Sequence, residues 1–114
     1  MSERGQQEYL ADMREAIVRI QTYTSTITYG QFLADHKTQD AVIRNIEILG
    51  EAAKHVPATL TRTYPEIAWK SIAGMRDKLV HDYFGVNLDI LWDVLTTKLP
   101  VLLKQVDGII EETS

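Results

Sequence analysis

Apolar residues recur along this chain in steps of three and four. Leu10, Met13, Ile17, Ile20 and Ile27 are separated by threes, fours or their sum, which places them on one stripe of an amphipathic helix. The segment Thr28, Tyr29, Gly30 reads as the turn that ends it, with a short helical turn over residues 31–34. Thr38 is a plausible N-cap for a second long helix. There the stripe is Val42, Ile46, Leu49, Ala53 and Val56. Pro57 stops that helix or opens a short third one, which ends at Tyr64 and Pro65.

A fourth helix is expected from Trp69 or Ser71 to about Phe84, with Gly85 as its break. Asn87 or Asp89 can cap the last helix. Its stripe runs through Leu88, Leu91, Leu95, Leu99, Leu102, Val106 and Ile109. Pro100 lies inside it, removes a backbone donor and crowds the carbonyl of Thr96, so the pattern predicts a kink or two abutting helices. No stretch alternates with the period of a strand. The pattern predicts one all-α domain over residues 1–114, an antiparallel up-and-down bundle of four to five helices.

Composition narrows what such a bundle can do. The 114 residues are 45% hydrophobic and 25% charged, an ordinary globular balance in a chain long enough for one core. The absence of cysteine excludes a disulfide scaffold, a thiolate nucleophile and a sulfur-based zinc site. The polar N-terminus lacks a signal-peptide core, and no apolar run approaches membrane-spanning length, so a cytoplasmic protein is expected. The net charge of −4 is unevenly spread. Residues 52–81 carry five basic and two acidic side chains, a net of +3, which leaves −7 for the remainder. A basic segment in an acidic chain suits a focused phosphate site better than a general nucleic-acid coat.

The most informative segment lies inside that basic stretch. Residues 74–84 read GMRDKLVHDYF, with Arg76, His81 and Tyr83 in the order R-x-x-x-x-H-x-Y and Asp77 directly after the arginine. Segments TQDAVIRNIEILGEAA at 38–53, YPEIAW at 64–69 and YFGV at 83–86 accompany it. Together these resemble the HEPN domains, and in particular the HepT-like toxins, over essentially the whole chain. The resemblance implies a small helical ribonuclease, paired with a minimal nucleotidyltransferase antitoxin.

The residues can carry that chemistry. Cleaving RNA without a metal needs a base for the 2′-hydroxyl, charge stabilisation at the phosphate and an acid for the leaving 5′-oxygen. Histidine exchanges protons near neutrality. Arginine presents a fixed fork of donors to phosphate oxygens. His81 is therefore the candidate acid/base and Arg76 the candidate phosphate clamp. The family implies a 2′,3′-cyclic or 3′-phosphate product. On one straight helix, residues 76 and 81 would be offset by about 140°. That offset, and the double duty asked of one histidine, ease if the site is composite, and the HEPN resemblance implies a homodimer whose two-fold axis brings two Arg–His pairs into one cleft.

The resemblance also gives Tyr83 a role, as the acceptor of AMP from the nucleotidyltransferase partner. ATP and Mg²⁺ would be used by that partner, with no cofactor or metal in this chain. Arg44, Glu47 and Glu51 share one helical face, and with Asp77 form the expected supporting cleft. Gly50 inside a helix costs about 1 kcal/mol relative to alanine, which suggests a close helix or dimer contact there. His36 and His55 lack metal-ligand spacing and read as surface or capping residues. Trp69 and Trp92 read as core or interface anchors. No glycine-rich phosphate loop occurs, so ATP binding by a P-loop is not expected. The alternative reading is a HEPN module that has lost catalysis and binds nucleotides or partners.

Overall fold

The computed structural model describes residues 4–81 and 85–114, with side chains for all of these except 81, 85 and 86. Long helices form its frame. They are α1 (Gln6–Thr24), α3 (His36–His55) and a C-terminal run of α7 (Leu88–Asp93), a π-helical turn (Val94–Lys98) and α8 (Leu99–Thr113). Short helices join them: α2 (Tyr29–Leu33), α4 (Ala58–Thr63), α5 (Trp69–Ala73) and α6 (Met75–Leu79).

Helix α1 runs antiparallel to both long neighbours. Tyr9 near its start stacks on His55 at the end of α3. Gln7 donates to Thr113 at the end of α8, and Arg14 pairs with Asp107 one to two turns earlier. The expected all-α bundle is therefore the observed one. Its stripes are those of the sequence. Leu10, Met13, Ile17, Val42, Ile46, Leu49, Leu91, Leu99 and Val106 are fully buried, each worth roughly 1.5–3 kcal/mol of transfer free energy.

Several boundaries differ from the expected ones. Helix α1 stops at Thr24, because a threonine-rich end competes with the backbone. The Thr22 and Thr24 hydroxyls donate back to the carbonyls of Val18 and Ile20. Thr28 opens α2 instead of ending α1. Its hydroxyl accepts from the Gln31 N–H, and the Gln31 side chain accepts from the Thr28 N–H, a reciprocal capping box. The cap of α3 is Asp35, not Thr38. The Asp35 carboxylate accepts from both the amide (3.0 Å) and the hydroxyl (2.6 Å) of Thr38, and the hydroxyl bond is the leading cause of a lowered Asp35 pKa.

Pro100 has the expected effect on the last helix. The backbone widens into the π-turn ahead of it, where the Leu99 N–H reaches back to the Val94 carbonyl. One wider turn accommodates the missing donor and the crowded Thr96 carbonyl. Leu95 within it and Leu99 directly after it remain buried.

The largest difference concerns residues 69–84. The expected single helix breaks at Gly74 and ends at Leu79. Val80 is already extended, with φ −107° and ψ 104°. Val80–His81 (β1) then pairs antiparallel with Gly85–Val86 (β2), in the register Val80 with Val86 and His81 with Gly85. The Asn87 N–H closes the ladder by donating to the Leu79 carbonyl at 2.9 Å. A β-branched valine and a buried Leu79 favour this exit over another helical turn. Gly85, expected as a helix break, is a strand residue. Asn87 does cap α7, its side chain accepting from the Ile90 N–H.

Candidate functional site

Arg76 is set in place by a close backbone approach one turn away on α3. A Cβ on Gly50 would lie 3.2 Å from the carbonyl oxygens of both Ile72 and Ala73. Glycine at this position thus lets the end of α5 rest directly on α3. It is a helix contact within the chain, one of the two explanations the sequence suggested. From there Gly74 turns the chain into α6, and Leu79 pins that short helix to the core.

The result brings Arg76 to Glu47. The Arg76 Nε lies 3.5 Å from Glu47 Oε1, and Nη1 lies 3.6 Å from Asp77 Oδ1. Both contacts are longer than good hydrogen bonds and act through charge. The Arg76 side chain remains 45% exposed, and an ion pair this open contributes at most about 1 kcal/mol to stability. Its chemical effect is greater. Glu47 sits at the Nε side of the guanidinium and Asp77 beside Nη1, so that the Nη2 donors face an external anion most freely. Asp77, 85% exposed, is a solvated neighbour of the arginine.

Arg44, Glu47 and Glu51 line a groove of about 380 Å³ between α1 and α3. Arg4, Tyr9 and Asp12 of α1 and its lead-in form the facing wall, and His55 closes one end. Arg4 pairs with Asp12 at 2.5 Å and lies over the Tyr9 ring, 5.6 Å from its centroid. Arg44, Glu47 and Glu51 therefore share a surface concavity that Glu47 links to Arg76, whereas Asp77, the fourth expected cleft residue, lies outside it.

His81 leaves the helix before its own position. Its backbone is in β1, and its side chain lies outside the described residues. The 140° helical offset between Arg76 and His81 accordingly does not apply, because α6 ends two residues before the histidine. Tyr83 falls within residues 82–84, also outside the described residues.

Tyr9 and Arg4 carry no sequence signal of a site, and His55 is expected only as a surface or capping residue, yet all three line the groove. His55 does bond the carbonyl of Glu51 at 2.8 Å in the last turn of α3. It also stacks on Tyr9, with centroids 5.4 Å apart and planes at 21°. The four-residue steps from Glu47 to Glu51 to His55 were a visible signal for a common face. The α1 side of the groove is a tertiary contact with no local signature. Trp92 fits its expected role, packing against Phe32 and Tyr29. Among the described residues, no three His, Asp or Glu side chains converge as a metal site. No helix among the described residues is long and apolar enough to cross a membrane.

A family model described as ribonuclease HepT-like matches residues 13–109. A Thermococcus cleftensis protein named "Probable ribonuclease HepT" is 48% identical over 87% of this chain and 90% of its own length. A Methanocaldococcus jannaschii protein, provisionally named an RNase, is 40% identical over 98% of this chain and 93% of its own. Another provisionally named RNase, from Caldanaerobacter subterraneus, is 42% identical over 75% of this chain and 77% of its own. No solved structure gives a significant match.

Proposed function

The chain belongs to the HepT-like ribonuclease family, and from that premise we propose that it is an endoribonuclease that cleaves RNA without a metal through Arg76 and His81. The observation that carries this reading is the Arg76–Glu47 pair. It sits at the edge of a polar groove, with the histidine of the same motif five residues on. In the reaction the 2′-oxygen attacks the adjacent phosphorus as its proton is removed. The bond from phosphorus to the 5′-oxygen breaks, and that oxygen takes up a proton. The product is a 2′,3′-cyclic phosphate, which water can open to a 3′-phosphate. His81 moves the protons, and Arg76 holds the phosphate oxygens as charge builds on them.

One histidine cannot both remove and supply a proton in a concerted step. A homodimer with two Arg–His pairs in one cleft meets that requirement. The family setting further supports a toxin held in check by a nucleotidyltransferase antitoxin. That partner would transfer AMP from ATP to the Tyr83 oxygen, releasing pyrophosphate. The new phosphodiester would place a negative charge and bulk two residues from His81, where an RNA phosphate must bind.

The test is cleavage of single-stranded RNA in EDTA by wild type, Arg76→Ala and His81→Ala. Wild type should cleave and both variants should lose at least 100-fold in rate, in line with the 10²–10⁴-fold typical of acid–base groups. Tyr83→Phe should cleave normally and escape silencing by partner plus ATP. Absence of cleavage by the wild-type dimer would favour a binding module instead.

A further inference from the structure

The groove between α1 and α3 carries features that cleavage at Arg76 does not use. Arg44, Glu47, Glu51 and His55 follow one another by three, four and four residues, so they form a single row on α3. The row spans about 16 Å along the helix axis. Glu47 is engaged by Arg76 at 3.5 Å, and Asp12, across the groove, by Arg4 at 2.5 Å, while the Glu51 carboxylate lies 3.8 Å from the His55 ring. Among the described residues Arg44 pairs with no carboxylate. Arg44 is therefore a cation of the row without a carboxylate partner.

His55 ends the row in a constrained state. A carbonyl oxygen can only accept, so the 2.8 Å bond to the Glu51 carbonyl fixes the proton on Nδ1. In the neutral ring, Nε2 is then an acceptor. One ring face is covered by Tyr9, at 5.4 Å and 21°. The side chain is nonetheless 51% exposed. The Nδ1 edge and one face are thus occupied, and the opposite face and the Nε2 edge are the parts of the ring that these contacts leave for a ligand. A braced aromatic ring on the same helical row as an unpaired arginine combines the two elements that single-stranded nucleic-acid sites use: stacking for the base, charge for the backbone.

We propose that His55, braced by Tyr9, is a stacking platform for a nucleobase of single-stranded RNA, and that Arg44, at the other end of the row beyond Glu47 and Arg76, holds a phosphate of the same strand. The inference rests on the ribonuclease reading above and adds to it a binding subsite remote from the reacting phosphate. It makes the enzyme selective for unpaired RNA, since a base within a duplex cannot present its face to His55. It also gives short substrates a defect in binding while the chemical step is spared.

The experiment uses the full-length protein and a set of single-stranded oligoribonucleotides in which one abasic residue is walked along the chain. Steady-state cleavage and fluorescence-polarisation binding are measured on the same set. His55→Ala should raise KM and Kd by roughly 5- to 150-fold, the span of base–aromatic stacking, with kcat changed less than threefold. His55→Phe should restore most of the loss, which a merely structural role of the Glu51 bond would not allow. Tyr9→Ala should fall between them. In wild type, one abasic position should produce the same loss, and that position should become silent in His55→Ala. Arg44→Gln should weaken binding and lower the salt slope by about one ion. Equal Kd values for wild type and His55→Ala, or no silenced position, would overturn the platform while leaving the nuclease reading intact. If wild type binds these oligonucleotides with the His55 dependence but does not cleave them, the nuclease reading falls and the platform stands.

Discussion

Replacing Gly50 with alanine tests how the site is assembled. Two opposing effects meet at this position. Alanine in a helix interior is favoured over glycine by about 1 kcal/mol. Its Cβ, however, would lie 3.2 Å from the Ile72 and Ala73 carbonyl oxygens. Both are backbone atoms, at the end of a five-residue helix whose Ile72 side chain is buried. They must retreat by a few tenths of an ångström, and overpacking of this kind costs about 1–3 kcal/mol. The expected net is a destabilisation of about 1 kcal/mol. Gly108 supplies the internal control. It lies in α8 with no foreign atom within 4 Å of a built Cβ, so Gly108→Ala should stabilise by up to about 1 kcal/mol. Urea unfolding followed by circular dichroism reads both. The two variants should differ by about 2 kcal/mol in opposite directions, with unchanged m-values. Gly50→Ala should also lose more RNA cleavage than its stability implies, because α5 carries α6 and Arg76 with it. If Gly50→Ala proves as stabilising as Gly108→Ala, the close approach does not constrain the site and the reasoning fails.

Other expectations follow from the same contacts. Glu47→Gln should reduce cleavage about threefold to tenfold, well short of Arg76→Ala, because it loosens the guanidinium without removing it; equal losses would contradict a positioning role. The Asp35 carboxyl is held below its ordinary value by the Thr38 hydroxyl. A lowered folded pKa means that its contribution is full at neutral pH and is lost as pH falls through that pKa. Asp35→Ala should therefore flatten the acid side of the stability profile and leave the alkaline side alone. Tyr64 donates to Glu112 at 2.8 Å, and this bond raises its pKa above the ordinary 10.0. Its contribution is full below pH 10.0 and is lost as pH rises through the raised value. Tyr64→Phe should remove that alkaline loss, as seen by thermal unfolding across the range. Asn87→Ala removes the α7 cap and should cost about 1 kcal/mol, measured by the same urea titration.

The bundle was legible in the sequence because its stripes are long. Seven apolar positions from Leu88 to Ile109 keep their phase through Pro100, since the π-turn absorbs the irregularity without rotating Leu99 out of the core. Gly50 was legible too, as an energetic cost that needed a neighbour. The short elements were not. A helix continuing past Leu79 and an exit into a two-residue ladder differ locally by little more than one valine, and the Asn87–Leu79 bond that decides between them joins residues eight apart. Asp35 outcompeted Thr38 as the cap through geometry that propensity alone does not separate. In the site, the α3 face could be read from its spacing, whereas the Arg76–Glu47 pair joins side chains of two separate helices. The Tyr9–His55 stack depends on two helices meeting, which no local pattern announces.

The early end of α6 changes what the five-residue interval between Arg76 and His81 means. On a continuous helix that interval would be a phase angle, and one inserted residue would swing the histidine by about 100°. Beyond Leu79 it is instead a length of extended chain, where one residue adds about 3.3 Å of reach. The two halves of the motif are also anchored separately, Arg76 through Gly50 and Glu47 on α3, His81 through the ladder that Asn87 ties to the start of α7. The interval is a tether between two independently fixed points, so its length can drift over generations while the arginine stays where α3 holds it.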